Sequence, residues 1–180
     1  TFEVPNYMTG TGAPGSRFNY AGADLPQRNG TYTADFICIV PKAALGDGVT
    51  PAPARPSLYG HGLLGDPGEV GGGNVRRMAN EHDFVFCATK WIGMSEEDVG
   101  NAVTILGDIS TFPTLADRLQ QGVLNTLFLG RLMIHENGLV TDPAFAGLID
   151  RSHLYYDGNS QGGIMGGITT AVSIDFTRAV

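Results

Sequence analysis

The sequence predicts an α/β fold, in which a mostly parallel sheet carries helices on both faces. Strand-like runs alternate with helical patterns along the chain, an order typical of parallel α/β sheets. The run Phe84–Trp91 is apolar without alternation, as expected for a strand covered on both faces. Thr114–Gly138 contains the clearest helix, because apolar residues recur at four-residue steps from Leu115.

The other elements of the first half are shorter. Thr31–Pro41 is β-branched and aromatic and ends at a proline, which predicts a strand. Ser57–Gly62 is interpreted as a short buried strand that closes in a glycine turn, and Asn74–Glu81 as a helix. Residues 92–110 mix loop and short helix.

The second half continues the alternation. Ser152–Gly158 predicts a strand, residues 159–173 open a helix, and Asp175–Val180 predicts a final strand. At the start of the long helix, Thr114 and Asp117 have the spacing of a capping box.

The chain divides into two regions. Residues 1–30 are rich in Gly, Pro, Asn and Tyr without a lasting period, which predicts an irregular N-terminal leader. Residues 31–180 contain the alternating strands and helices and are predicted to form the N-terminal part of an α/β domain. The apolar run Asp175–Val180 would leave a sheet edge open to water, so we expect a segment outside this chain to complete the domain.

Composition excludes several classes of function. Hydrophobic residues make up 42% of the chain and charged residues 16%, as in a folded globular protein. The net charge of −7 argues against binding to nucleic acid or anionic membranes. No apolar run reaches the roughly 20 residues that a transmembrane helix needs.

The two cysteines, Cys38 and Cys87, both lie in strand-like apolar runs. Two buried thiols that pack as small hydrophobic groups are the favoured interpretation. A disulfide between neighbouring strands is the alternative. The spacing fits neither a CxxC motif nor a zinc site.

The segment GNSQG, Gly158–Gly162, has the G-x-S-x-G pattern of a nucleophile elbow. An elbow holds its serine on a sharp turn between a strand and a helix, so small residues must flank the serine. Gly158 and Gly162 meet that demand, and the helix N-terminus favours negative charge beside the serine. Ser160 is therefore the candidate nucleophile.

A second glycine turn, HGLLG, spans His61–Gly65. An oxyanion hole needs backbone N–H donors that converge on one point. One donor follows the nucleophile, here Gln161, and Leu63 in the glycine turn is the expected second donor. We expect His61, with Gly62, to brace this turn and not to act as a base.

Together, HGLLG and GNSQGG resemble the α/β-hydrolase fold, and more narrowly its bacterial lipase and esterase branch. The resemblance covers residues 31–180 and departs at Asn159, where many lipases carry His. It implies ester hydrolysis through an acyl-enzyme on Ser160. No cofactor is expected.

The catalytic acid and base are missing from the pattern. In this fold the triad runs Ser, then Asp or Glu, then His, but only Asp175 follows Ser160 and no histidine does. We interpret His82 as a surface group, His135 as a cation at a helix end, and His153 as lying at the far end of its strand. A missing C-terminal segment or a second chain is therefore expected to supply the acid and the histidine.

The sequence thus predicts a serine hydrolase acting on a small-molecule or lipid-like carboxylic ester. A peptidase or amidase on the same fold is an alternative, and a non-catalytic binding protein is another. The chain could be one piece of a nicked enzyme, part of a longer protein or a degenerate relative. Its start at Thr1 and its two lysines, Lys42 and Lys90, favour secretion or the periplasm.

The segment Trp91–Gly100 follows a strand at its carboxyl end and is predicted to line the mouth of the site. Trp91 and Met94, with Leu64 from the glycine turn, are candidates for contact with an acyl or aromatic group. Ordinary packing under a loop is an equal alternative. The acidic residues 96–98 are interpreted as a solvated helix start, and no metal site is expected.

Overall fold

The computed structural model describes all 180 residues, Thr1 to Val180. Seven strands and four α-helices follow one another along the chain. The strands are β1 (Phe2–Pro5), β2 (Thr31–Ala34), β3 (Phe36–Ile39), β4 (Arg55–Gly60), β5 (Phe84–Thr89), β6 (Tyr155–Gly158) and β7 (Arg178–Ala179). The helices are α1 (Gly73–His82), α2 (Val99–Gly107), α3 (Pro113–Ile134) and α4 (Gln161–Val172).

The main sheet has five strands in the order β3-β5-β4-β6-β7. Strands β5, β4, β6 and β7 pair in parallel, whereas β3 pairs antiparallel with β5 at one edge. Strands β1 and β2 form a separate antiparallel pair. The fold is therefore of the α/β class, with a mixed sheet.

Helices cover the centre of the sheet on both faces. On one face, Val75 of α1 packs in a small core with Phe86 of β5. On the other face, Met133 of α3 and Met165 of α4 pack in the larger core with Leu58 of β4. Full burial of one such side chain stabilises the fold by about 1.5–3 kcal/mol, so these contacts hold the central strands between two layers.

The first thirty residues contain one short strand, β1, and are otherwise turns and irregular segments. Strand β1 pairs with β2, and the side chains of Phe2 and Val4 are buried. Gln121 of α3 fixes the segment that follows, because its side chain donates to the Pro5 carbonyl and accepts from the Tyr7 N–H. The alternation of buried and exposed residues in β1 spans only four positions, which is too short to stand out in the sequence.

The predicted strand Thr31–Pro41 is in fact two strands. Strand β2 pairs with β1, and β3 belongs to the main sheet. Asp35 separates them, and its carbonyl accepts a hydrogen bond from the Thr89 hydroxyl at 2.7 Å. The chain therefore passes from one sheet to the other with a single residue between the strands, and the sequence pattern gave no sign of the break.

The preferred interpretation of the cysteines as free thiols is wrong. Cys38 and Cys87 form a disulfide that joins β3 to β5. The two residues are direct partners in the antiparallel register, with their Cα atoms 4.1 Å apart. Sequence alone could not show that these two strands are neighbours.

The predicted capping box at Thr114 and Asp117 is also wrong. Helix α3 begins at Pro113 after Phe112, and no side chain caps it. Asp117 instead accepts hydrogen bonds from the Arg17 side chain and the Phe18 N–H.

The C-terminal strand is shorter than predicted. Only Arg178–Ala179 pair with β6, and β7 has no neighbour on its other side. None of the helices combines the length and apolar character needed to cross a membrane.

Candidate functional site

The two glycine-rich loops leave the same edge of the sheet. Gly60 ends β4 and Gly158 ends β6, and these residues are register partners in neighbouring parallel strands. The turns that follow therefore start side by side. In open α/β sheets this carboxyl edge is where ligands bind.

Ser160 has a backbone conformation that few non-glycine residues adopt. Its φ of 56° and ψ of −119° lie in the left-handed half of the map, between the end of β6 and the start of α4. Such conformations cost of order 1–3 kcal/mol and cluster at functional sites. The side chain is exposed at this turn.

Close backbone approach explains the glycines around Ser160. A Cβ on Gly162 would lie 2.0 Å from the Gly60 carbonyl oxygen, and a Cβ on Gly158 would lie 2.5 Å from the Gly162 carbonyl. The Tyr156 hydroxyl donates to that same Gly162 carbonyl. The start of α4 is therefore pressed against the ends of both strands, with no room for a side chain.

The N–H groups of Leu63 and Gln161 remain as the candidate oxyanion donors. The Leu63 N–H donates to no other group of the protein. Gln161 is the first residue of α4, and N–H groups in the first turn of a helix have no acceptor within it.

A third loop holds these two loops together. The Met94 carbonyl accepts from the Leu64 N–H at 3.2 Å and from the Gln161 side-chain amide, also at 3.2 Å. Leu64 is the neighbour of Leu63, which carries one candidate donor, and Gln161 carries the other on its own backbone. Sequence reasoning identified Met94 by its side chain, whereas its carbonyl makes the informative contacts.

His61 is buried and uses both ring nitrogens within the protein. Its Nε2 accepts from the Trp91 N–H at 2.9 Å, and its Nδ1 lies 2.9 Å from the Gly62 carbonyl oxygen. These partners require the neutral ring with the proton on Nδ1. Burial lowers the pKa of His61, which favours the same form. The ring therefore ties the glycine turn to the end of β5, and neither nitrogen faces an incoming proton.

The glycine turn is also fixed from its other side. The Gly62 N–H donates to the Glu69 carboxylate at 2.9 Å. Leu64 has a φ of 51°, so the turn reverses at this residue. The Leu63 side chain is 60% exposed at the tip of the turn.

The three predicted substrate-lining residues have different surroundings. Leu64 and Met94 are half-buried. Trp91 is only 1% exposed and packs in the larger core, which favours the alternative of ordinary packing for this residue. An apolar side chain directly after a buried strand continues the core, and the sequence pattern could not separate the two roles.

The remaining histidines and Asp175 lie away from Ser160. His153 precedes β6 at the opposite end of that strand and stacks on Tyr155. His82 and His135 are exposed at the C-terminal ends of α1 and α3. Asp175 precedes β7 and pairs with Arg131 at 2.8 Å.

Sequence reasoning missed a titratable group close to the elbow. Asp157 is half-buried in β6, and burial raises the pKa of its carboxyl group. It is the register partner of Tyr59, a residue of the small core under α1.

The acidic residues 96–98 are not simply a solvated helix start. Asp98 is completely buried and forms an ion pair with Arg118, which is 1% exposed. Burial raises the pKa of Glu97, but hydrogen bonds from Arg118 and Lys90 outweigh that effect and lower it overall. Arg118 belongs to α3, further along the chain, so the acidic run by itself gave no sign of this partner.

A scan against protein-family models finds no match to this chain, and a search among curated proteins finds no similar one.

Proposed function

We propose that this chain carries the nucleophile and the oxyanion hole of a serine hydrolase of the α/β-hydrolase type that cleaves carboxylic esters. The observation that carries the proposal is the left-handed backbone of Ser160 between β6 and α4, beside a second glycine turn. A strained serine on such a turn is typical of a nucleophile elbow.

In this proposal the Ser160 hydroxyl attacks the ester carbonyl carbon, and its proton passes to a general base. The N–H groups of Leu63 and Gln161 stabilise the negative charge that develops on the carbonyl oxygen. The alcohol then leaves with a proton, and water releases the acid from the acyl-enzyme. The site needs no cofactor for these steps.

The base is proposed to be a histidine outside these 180 residues, positioned by an acid that is also outside them. Both nitrogens of His61 are engaged, and the other three histidines lie away from Ser160. A C-terminal segment of the same protein, or a second chain, would bring the base. The exposed apolar side chains on α4 support its packing there, namely Ile164, Ile168 and Val172.

The proposal includes a secreted or periplasmic location. The disulfide between Cys38 and Cys87 supports it, because disulfides persist mainly in oxidising compartments.

A non-catalytic binding protein is the second candidate. The absence of any histidine near Ser160 favours it, since a serine without a base is a weak nucleophile.

Paired substrates test the proposal on the complete protein. We expect hydrolysis of p-nitrophenyl acetate and much slower hydrolysis of p-nitroacetanilide, and loss of the ester activity in Ser160→Ala. Ser152→Ala is the matched control, because Ser152 is exposed at the opposite end of β6. Equal turnover by wild type and Ser160→Ala would exclude Ser160 as the nucleophile. Faster anilide cleavage would favour an amidase.

A further inference from the structure

A buried cluster of charges lies behind the third loop of the site. Asp98 is 0% exposed and Arg118 is 1% exposed, and the two form an ion pair. Arg118 also donates to the Gly12 carbonyl at 2.7 Å and to the Glu97 carboxylate at 2.6 Å. Even a well-paired buried ion pair often stabilises a fold no more than apolar side chains of the same volume would, so stability alone does not explain this cluster.

Asp98 folds the segment that precedes it into a tight turn. Its Oδ2 accepts from the Gly93 N–H at 2.8 Å, the Ser95 N–H at 3.1 Å and the Ser95 hydroxyl at 2.9 Å. Its Oδ1 is the atom that Arg118 binds. Met94 lies between Gly93 and Ser95, so both of its neighbours are fixed by one carboxylate.

Helix α3 supports the same turn from below. Gly93 has a φ of 101°, and a Cβ there would lie 2.7 Å from the Leu119 nitrogen and 2.9 Å from the Leu115 carbonyl oxygen. The turn therefore rests directly on the helix that carries Arg118.

The turn aims the Met94 carbonyl at both oxyanion loops. That carbonyl binds the Leu64 N–H, next to the candidate donor of Leu63, and the side chain of Gln161, which carries the other donor. Hydrogen bonds thus link Arg118 to Asp98, and Asp98 to both backbone neighbours of Met94. The Met94 carbonyl then holds the residue beside one candidate donor and the side chain of the residue that carries the other.

We propose that Asp98 and Arg118 are positioning residues for the oxyanion hole and act through the Met94 carbonyl. The inference rests on the proposed ester hydrolysis at Ser160. Oxyanion donors act on the transition state more than on the bound ester, so a shift of the donors lowers kcat and leaves KM nearly unchanged.

The test compares Asp98→Asn with Asp117→Asn in the complete protein. Asp117 also joins the N-terminal segment to α3 by bonds to Arg17 and Phe18, but it does not contact the turn at Met94. We expect Asp98→Asn to lower kcat for p-nitrophenyl acetate by about 10²-fold with KM within about threefold, the cost of a 1 Å misplacement. Asp117→Asn should lower thermal stability without this loss of kcat.

Ser95→Ala is a milder variant in case Asp98→Asn does not fold. It removes one of the three bonds to Oδ2 and keeps both charges. We expect a smaller fall in kcat, about tenfold, again with KM nearly unchanged. A kcat in both Asp98→Asn and Ser95→Ala equal to that of Asp117→Asn would overturn the inference.

Hydrogen exchange gives a readout that does not depend on activity. The Leu64 amide should exchange at least about tenfold faster in Asp98→Asn than in Asp117→Asn, because its bond to Met94 loosens. If wild type does not hydrolyse the ester, the proposed function fails, and the Leu64 amide still decides the positioning of the turn. Equal Leu64 exchange in the two variants would overturn the inference.

Discussion

On one side of Ser160, three loops enclose the candidate oxyanion hole and hold one another by hydrogen bonds. His61 and Asp98 are completely buried there, and each has its polar atoms paired. By contrast, the outward face of α4, the helix that begins after Ser160, is apolar and exposed. No histidine lies near that face, and β7 beside it has an unpaired edge.

This difference separates two tasks of a serine hydrolase. Charge stabilisation uses backbone N–H groups, which loops at one sheet edge can supply from within this chain. Proton transfer needs side chains of specific types, which this chain does not bring to Ser160. We call the three hydrogen-bonded loops the oxyanion side and the exposed face of α4 the open side. We expect changes on the oxyanion side to have large effects on stability and rate, and changes on the open side to have small ones.

The largest effect on stability is expected for Gly162→Ala. The new Cβ would lie 2.0 Å from the Gly60 carbonyl oxygen, so β4 and α4 must move apart. We expect a loss of about 3 kcal/mol or more in the free energy of unfolding, measured by urea denaturation. Gly167→Ala in the same helix is the control, since nothing lies within 4 Å of its added Cβ, and it should stabilise the protein by about 0.5–1 kcal/mol. Equal effects of the two changes would contradict the close contact of β4 with α4.

Loss of the disulfide should be the next largest effect. Replacement of Cys38 and Cys87 by Ala is expected to lower the free energy of unfolding by about 2–4 kcal/mol, because the bond closes a long loop. A reducing agent should lower the melting temperature of wild type and leave that of the double variant unchanged. Sensitivity of the double variant to the reducing agent would show that the effect comes from elsewhere.

Acid should lower the free energy of unfolding through protonation of His61 on the oxyanion side. Burial lowers its pKa below the usual value of about 6.5, so the unfolded chain takes up the proton first as the pH falls. The stabilising effect of neutral His61 is thus complete above about pH 6.5 and is lost as the pH falls towards the lower folded pKa. We expect His61→Gln to flatten this part of the stability curve by at most about 1.4 kcal/mol per pH unit, and the exposed His82→Gln to leave it unchanged. A curve for His61→Gln that matches wild type would contradict a buried neutral ring.

The smallest effect on the free energy of unfolding is expected on the open side, the exposed face of α4. In the 180-residue chain, Ile168→Asn should change the free energy of unfolding by less than about 0.5 kcal/mol, as should Leu25→Asn, because both side chains are exposed. In the complete protein, Ile168→Asn should cost about 1.5 kcal/mol or more once a further segment covers it, whereas Leu25→Asn should not. Equal, small effects in both settings would argue against a segment on α4.

The sequence predicted the features that depend on neighbouring residues. The alternation of strands and helices, the strand at Phe84 and the long helix from Pro113 are present in the structure. The glycines of GNSQG mark a close backbone approach that local spacing can indicate, and the structure places them at one. The role of Ser160 itself stays a prediction.

Features that join distant parts of the chain could not be predicted. The disulfide depends on β3 lying next to β5, and the burial of Asp98 depends on Arg118 reaching back from α3. A run of acidic residues looks the same whether water or an arginine faces it. The contacts of the Met94 carbonyl could not be predicted either, because every residue has a carbonyl group and the sequence does not indicate its partners.

The central claim is that Ser160 is the catalytic nucleophile beside the candidate oxyanion hole. The most direct test is to treat the complete protein with a fluorophosphonate probe and map the adduct by peptide mass spectrometry. We expect a single adduct on Ser160, blocked by prior incubation with an ester substrate and absent from Ser160→Ala. An unmodified Ser160 in folded protein, or equal labelling of Ser160→Ala, would contradict the claim.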